Sequence, residues 1–129
     1  MANASFDRDR ADALIQDLGR EIVRSPEFAD QQWSAIAVVI DLDRQERMYG
    51  YRYWDAAEWD AAIPSFDTLD VGTELRGAMR VPGQEPWKKC LVQISRATGR
   101  VDIDFDYDGD KWAPDIKDPK RFALSLRPA

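Results

Sequence analysis

The chain has 129 residues, enough for one domain, and its 24 acidic and 18 basic side chains give a net charge of −6 and a pI near 4.7. It has no histidine and one cysteine, which excludes Ser-His and Cys-His catalytic arrangements, histidine-based zinc sites and internal disulfides. The acidic charge disfavours nucleic acid and anionic membranes as partners and favours a basic protein.

Residues 7–25 form the first periodic segment. Apolar side chains recur there at helical spacing, at positions 11, 14, 15, 18 and 22. Asp7 and Asp9 suit the start of a helix, and Pro26 disfavours a helical conformation at Ser25. The pattern therefore predicts a helix over residues 7–25.

The next two segments predict a β-hairpin. Residues 33–42 are rich in β-branched side chains and lack helix caps, and residues 47–54 alternate aromatic side chains with others. In the second strand Tyr49, Tyr51 and Tyr53 share one face, which either packs under a helix or is offered to a partner. Gly50, between two of them, indicates a bulge or close packing. Residues 55–67 are consistent with a third strand or a loop.

The second half of the chain predicts one helix, two strands and a short final helix. The helix covers residues 68–81, the strands cover 87–96 and 100–107, and Asp118-Pro119 begins the last helix. Cys90 alternates with apolar core positions, so we expect a buried side chain rather than a reactive thiol. The order of these elements predicts a single α+β domain over residues 1–129, an antiparallel sheet of about four to five strands with helices packed mainly on one face.

The strand over 100–107 has the most informative pattern. Apolar and aromatic side chains occupy one side, and aspartates occupy the other, at positions 102, 104, 106 and 108. Residues 100–118 carry a local net charge of −4. Aspartate is depleted in strands, and like charges on one face repel each other. This face is therefore either a solvated edge of the sheet or a surface for a basic protein.

A metal site is the alternative interpretation of the same aspartates. Asp104, Asp106, Asp108, Gly109 and Asp115 have the spacing of a calcium-binding loop. Such a loop follows a helix, whereas here the alternation of a strand continues into Asp104. We favour the strand and assign no metal ligand. The alternative function is that of an acidic metal-binding domain, or of a metal-dependent hydrolase, that uses the aspartates of 104–115.

Aromatic residues complete the candidate partner surface. Tryptophan is enriched at binding hot spots, and Trp59 and Trp112 lie in polar, irregular segments. The predicted partner-binding residues are Asp102, Asp104, Asp106, Asp108, Asp110, Trp112, Trp59 and Glu58. We predict no catalytic residue and no cofactor.

Residues 83–107 carry a family resemblance. Gly-Gln-Glu-Pro-Trp at 83–87 opens a strand, an aliphatic strand follows at 91–95, Thr98-Gly99 makes a turn, and Val-Asp-Ile-Asp-Phe-Asp-Tyr occupies 101–107. In these features the chain resembles the YezG-like family of bacterial immunity proteins.

The resemblance implies a protein without catalytic activity in the cytoplasm of the producing cell. Such a protein neutralises a cognate toxin, often a nuclease domain of a secreted or contact-delivered effector, by binding to it. The expected mechanism is occlusion of a basic toxin surface, with neither nucleic acid nor a membrane as partner. The oligomeric state is not predicted.

Overall fold

A computed structural model describes residues 6–29, 31–54 and 58–128. Within these residues the elements follow in the order α1 Arg8–Arg24, β1 Ala35–Asp41, β2 Arg47–Tyr53, β3 Trp59–Ala61, α2 Asp67–Ala78, β4 Lys89–Ser95, β5 Val101–Asp106 and α3 Pro119–Ser125. The strands form one antiparallel sheet in the order β3-β2-β1-β4-β5. The predicted α+β class and antiparallel sheet are confirmed.

Local signals at the ends of α1 and α3 act as the sequence predicts. The Asp7 carboxylate accepts a hydrogen bond from the Arg10 N–H at 3.1 Å, and α1 ends two residues before Pro26. The Asp118 carboxylate likewise accepts from the Arg121 N–H at 3.1 Å, with proline in the first turn of α3.

One face of the sheet packs against α1 and α2. Its core is formed by alternate residues of the central strands, chiefly Ile36, Val38, Ile40, Cys90, Val92 and Ile94. Cys90 is 0% exposed, which confirms its predicted core position, and burial raises the pKa of its thiol to about 12. Gly50 is a close-packing position, because a Cβ there would lie 2.5 Å from the Ala62 carbonyl oxygen.

The opposite face of the sheet is covered by α3. The rings of Tyr49 and Tyr51 lie 6.1 and 6.0 Å from the ring of Phe122. The buried Tyr53 hydroxyl donates a hydrogen bond to the Ala123 carbonyl oxygen. The tyrosine face is therefore packed under a helix. The two longer helices share one face, as predicted, while the shortest covers the other.

Some element boundaries differ from the predictions. The ambiguous segment 55–67 contains β3, although residues 55–57 lie outside the described part of the chain. Helix α2 ends at Ala78 rather than at position 81, and β5 ends at Asp106 rather than at position 107. Tyr107 consequently leaves the apolar face that the alternation predicted and is 49% exposed.

None of the described helices is both long enough and apolar enough to cross a membrane.

Candidate functional site

Strand β5 is an edge of the sheet and carries the predicted acidic surface. Its register places Asp102 opposite Gln93 and Asp104 opposite Leu91, which belongs to the core beneath α3. Both aspartates are exposed on that side of the sheet. Asp108 and Asp110 are exposed in the segment that follows β5. We call these four residues, Asp102, Asp104, Asp108 and Asp110, the acidic edge.

Asp106 does not belong to the exposed surface, although the sequence grouped it with its neighbours. Its side chain is 2% exposed and accepts hydrogen bonds from the backbone N–H groups of Asp108 at 3.1 Å, Gly109 at 3.1 Å and Lys111 at 2.9 Å. Burial raises the pKa of this carboxyl, but the three N–H donors and the Lys89 ammonium outweigh burial and hold it below its ordinary value of 3.8. Asp106 is thus an ionised anchor that shapes the following loop.

A row of charged residues crosses the sheet at the end where this loop begins. Arg47, Asp41, Lys89 and Asp106 are cross-strand neighbours in register. Asp41 is 3% exposed and Lys89 is 5% exposed. The Asp41 carboxylate accepts from the Arg47 guanidinium at 2.8 Å, and the Lys89 ammonium donates to the Lys111 carbonyl oxygen at 2.8 Å. The alternating signs compensate buried charge that would otherwise be costly.

The loop after β5 is fastened at several points. Gly109 has a φ of 92° and Trp112 a φ of 54°, a left-handed conformation that is uncommon for a residue with a side chain. The Tyr49 hydroxyl donates a hydrogen bond to the Trp112 carbonyl oxygen at 2.8 Å. Together with the bonds to Asp106 and Lys89, this contact holds the loop against the sheet and fixes where Asp108 and Asp110 project.

Among the described residues, one ion pair involves the acidic edge, and the Lys88 side chain lies against Gly109, between Asp108 and Asp110. The Asp102 carboxylate accepts from the Arg100 guanidinium at 2.8 Å, and the Asp104 carboxylate accepts from the Phe105 N–H at 2.9 Å. Within the described part of the chain, Asp108 and Asp110 form no ion pair. The nearest lysine in the sheet, Lys89, is buried and turned toward the loop backbone. Three of its four carboxylates, those of Asp104, Asp108 and Asp110, are therefore exposed without an ion-pair partner in the described part of the chain.

Trp59 and Glu58 lie far from the acidic edge. Trp59 is in β3, at the opposite edge of the sheet, so four inter-strand spacings, about 19 Å, separate it from β5. Its ring packs edge-on against Tyr51 at 5.8 Å between centroids, and the Glu58 carboxylate accepts from the Trp54 indole N–H at 2.9 Å. Trp112 is close to the acidic edge in sequence but is half-buried against the core beneath α3. The predicted site residues therefore do not form a single cluster.

Tyr107 is an exposed aromatic residue beside the acidic edge that the pattern of alternation assigned to the apolar face. It stands between the buried Asp106 and the exposed Asp108 and is 49% exposed. Alternation assigned its ring to the apolar face, because the sequence does not reveal that the strand ends one residue earlier. Exposed tyrosines are enriched at protein interfaces, so Tyr107 is a further candidate contact residue.

The calcium-loop spacing is not realised as a wrapped loop. Asp104 and Asp106 lie in the extended strand β5, and the carboxylate of Asp106 is occupied by backbone N–H donors. In the described ranges, no three acidic or cysteine side chains come together as ligands for a metal ion. Asp104 and Asp106 therefore do not form the calcium loop that their spacing suggested.

No protein-family model matches the sequence, and a search of the curated proteins found no significant match. The assignment of a function therefore depends on the geometry of the acidic edge and on the sequence features of residues 83–107.

Proposed function

We propose that this chain is an immunity protein that binds a cognate bacterial toxin domain, of the nuclease type, and covers a basic surface of that domain. The observation that carries the proposal is the acidic edge. Four exposed aspartates lie along an edge strand and in a loop that buried Asp106 and Lys89 hold in place. The resemblance of residues 83–107 to YezG-like immunity proteins supports the same function.

Charge complementarity supplies the physical rationale. A nuclease presents a positive surface to its nucleic acid, and an acidic protein is attracted to that surface. Complementary charges accelerate encounter, whereas slow release needs buried anchors in the centre of the interface. Tyr107, between aspartates, and the exposed part of Trp112 are the aromatic side chains placed for that role.

Preorganisation strengthens the proposal. A flexible acidic loop would lose conformational freedom on binding, at a free-energy cost for each ordered side chain. The hydrogen bonds of Asp106, Lys89 and Tyr49 order the loop in the free protein. Binding by a preformed surface requires no catalytic group, and the protein would act in the cytoplasm of the cell that makes the toxin.

The decisive experiment combines charge reversal with co-expression. The toxin domain is the carboxyl-terminal domain of the effector that an immunity gene is expected to neighbour. The wild-type chain should rescue growth and co-purify with this domain. The double variant Asp102→Lys/Asp104→Lys should bind at least tenfold more weakly, because two attractive contacts become repulsive.

The matched control changes net charge equally at a different surface. Asp12 and Glu74 are exposed on α1 and α2, on the other side of the sheet, so Asp12→Lys/Glu74→Lys should bind like the wild type. Equal binding by both double variants would remove the acidic edge from the proposal. Failure of the wild-type chain to bind or protect would refute the immunity function itself.

A further inference from the structure

Strand β5 has a neighbouring strand on one side only. It is the last strand in the sheet order, and in the described part of the chain it pairs with β4 alone. Its six residues, Val101–Asp106, span about 20 Å when extended. An edge strand presents backbone N–H and C=O groups with which another extended chain can pair. The edge is therefore a backbone surface as well as a row of aspartate side chains.

The register with β4 decides which residues turn their backbone groups to the open side. The Ser95 N–H donates to the Arg100 carbonyl oxygen at 3.1 Å, in the same register as the rest of the β4–β5 pair. Hydrogen-bonded and non-hydrogen-bonded pairs alternate along an antiparallel ladder. The even-numbered residues of β5 therefore bond to β4, and Val101, Ile103 and Phe105 direct their N–H and C=O groups away from it.

Two of these three N–H groups are open in the free protein. The Phe105 N–H donates to the Asp104 carboxylate at 2.9 Å and is already occupied. In the described ranges, Val101 and Ile103 donate no backbone hydrogen bond outside the sheet, and no strand lies on this side of β5. Both residues are partly exposed. The first half of the edge is thus free to pair with an added strand.

The side chains on one face of the edge specify the charge of that strand. In an added antiparallel strand, the non-hydrogen-bonded positions would belong to Asp102 and Asp104. Facing residues are closest at such positions, with Cα atoms about 4.5 Å apart. Opposite charges stabilise a cross-strand pair, and like charges destabilise it. Lysine or arginine therefore fits opposite the two exposed aspartates, and an acidic residue does not.

The other face of the edge specifies apolar residues. Val101, Ile103 and Phe105 pack against the core beneath α1 and remain partly exposed. Apolar side chains beside them would extend this core by one strand. A strand that alternates basic with apolar side chains thus matches both faces of β5.

We propose that the toxin domain adds such a strand, antiparallel, to the free edge of β5. This inference rests on the proposed immunity function, because it states how the toxin domain is held. Backbone hydrogen bonds to Val101 and Ile103 supply affinity, and the aspartates supply selectivity. They also fix the register, because a slip by one residue would place apolar side chains opposite Asp102 and Asp104.

A second copy of this chain is a poor occupant of the same edge. Outward-facing residues of one β5 would have to pair with outward-facing residues of the other. Odd positions would then face odd positions, and the aspartates of one copy would always face those of the other. Repulsion between like charges disfavours that pairing, so the edge selects a chain of opposite charge.

Amide hydrogen exchange measured by NMR resolves the backbone of this strand. In the free chain, the N–H groups of Val101 and Ile103 should exchange faster than those of Asp102 and Asp104, which bond to β4. In the complex with the toxin domain used for co-expression, exchange at Val101 and Ile103 should slow at least about tenfold. Unchanged exchange at both residues in the complex would overturn the proposal. Protection that grows with the concentration of the free chain would indicate pairing between two copies and would also overturn it.

A proline variant tests the backbone without changing the charge. Ile103→Pro removes the outward N–H and leaves the ladder with β4, in which that N–H takes no part. The variant should bind the toxin domain at least about tenfold more weakly, a loss of about 1.4 kcal/mol or more. Ile103→Ala is the matched control, because it shortens the side chain similarly but keeps the N–H, and it should retain binding. Equal affinities of the two variants would overturn the role of the backbone.

The outcomes separate this proposal from the immunity function. If the wild-type chain neither binds the toxin domain nor protects the cell, both fail. If it binds and protects while exchange at Val101 and Ile103 is unchanged, the immunity function stands and strand addition is wrong. The exchange measurement uses the wild-type chain, so it decides the question even if Ile103→Pro does not fold.

Discussion

Asp106 differs from the other aspartates of β5 because its carboxylate is enclosed by backbone donors. Asp104, two residues earlier, faces solvent and accepts only the N–H of its neighbour Phe105. The same residue type therefore has two roles on one strand. Asp104 is exposed to solvent, and Asp106 holds the loop that carries Asp108 and Asp110.

Replacing Asp106 by asparagine should destabilise the fold. The amide nitrogen cannot accept the Lys111 N–H, and the substitution also removes the charge that faces Lys89. We expect a loss of about 2–4 kcal/mol in the free energy of unfolding, because a buried charged acceptor is lost. Urea denaturation at pH 7 measures this change in the free energy of unfolding. Asp104→Asn is the control and should change stability by less than about 0.5 kcal/mol; equal losses in the two variants would contradict the anchoring role.

The pH dependence of this difference tests the ionisation of Asp106. Its pKa is lower in the folded state than the ordinary 3.8, so the stabilisation is fully present above about 3.8 and is lost as the pH falls through the folded pKa. The stability gap between the wild type and Asp106→Asn should therefore be constant near neutral pH and shrink in acid below 3.8. A gap that is independent of pH throughout this range would indicate that Asp106 is not ionised in the folded protein.

Among the secondary-structure elements, α3 is the shortest helix, yet it supplies much of the core on one face of the sheet. It covers the tyrosine face of β2 and supplies Phe122, Ala123 and Leu126 to the second core. Without this cover, a row of tyrosines would be exposed on the face of the sheet. The stability of the central strands therefore depends partly on a helix near the carboxyl end of the chain.

Truncating Phe122 tests that dependence. Phe122→Ala removes a buried ring that contacts Tyr49 and Tyr51, and should lower the free energy of unfolding by about 3–5 kcal/mol. Thermal or urea unfolding measures the effect. The exposed neighbour Arg121→Ala is the control, with an expected change below about 0.5 kcal/mol. If Phe122→Ala were as stable as this control, α3 would not be part of the cooperative fold.

At the scale of the whole molecule, charge is distributed unevenly over two surfaces. The acidic edge carries four exposed aspartates, whereas Arg20, Arg24 and Arg96 lie near one another beside α1.

Association with a basic toxin domain should depend strongly on salt. The Debye length falls from about 30 Å at 0.01 M to about 8 Å at 0.15 M ionic strength, so the attraction of the acidic edge for a distant partner is screened. We expect the association rate constant to fall at least tenfold across this range in stopped-flow measurements, with a smaller change in dissociation. Asp102→Lys/Asp104→Lys should reduce this salt dependence. A salt-independent association rate in the wild type would exclude electrostatic steering by this edge.

The sequence alone determined the features that depend on neighbouring residues. Capping by Asp7 and Asp118, the strands on either side of the Thr98-Gly99 turn and the buried position of Cys90 follow from local spacing and side-chain chemistry. Periodicity identifies these elements because each residue's face is set by the regular backbone around it.

Tertiary structure decided the features that depend on residues distant in the chain. Asp106 is buried because Lys89 and the loop backbone surround it. The tyrosine face is covered because α3 returns to it from a distant part of the chain: Tyr53 and Ala123, which share a hydrogen bond, are 70 residues apart in sequence. Helix α1 likewise packs against β5 at Gly19, where a Cβ would lie 2.9 Å from the Val101 side chain. Alternation specifies which way a side chain points, but burial and compensation of charge require partners that only the folded chain brings within reach.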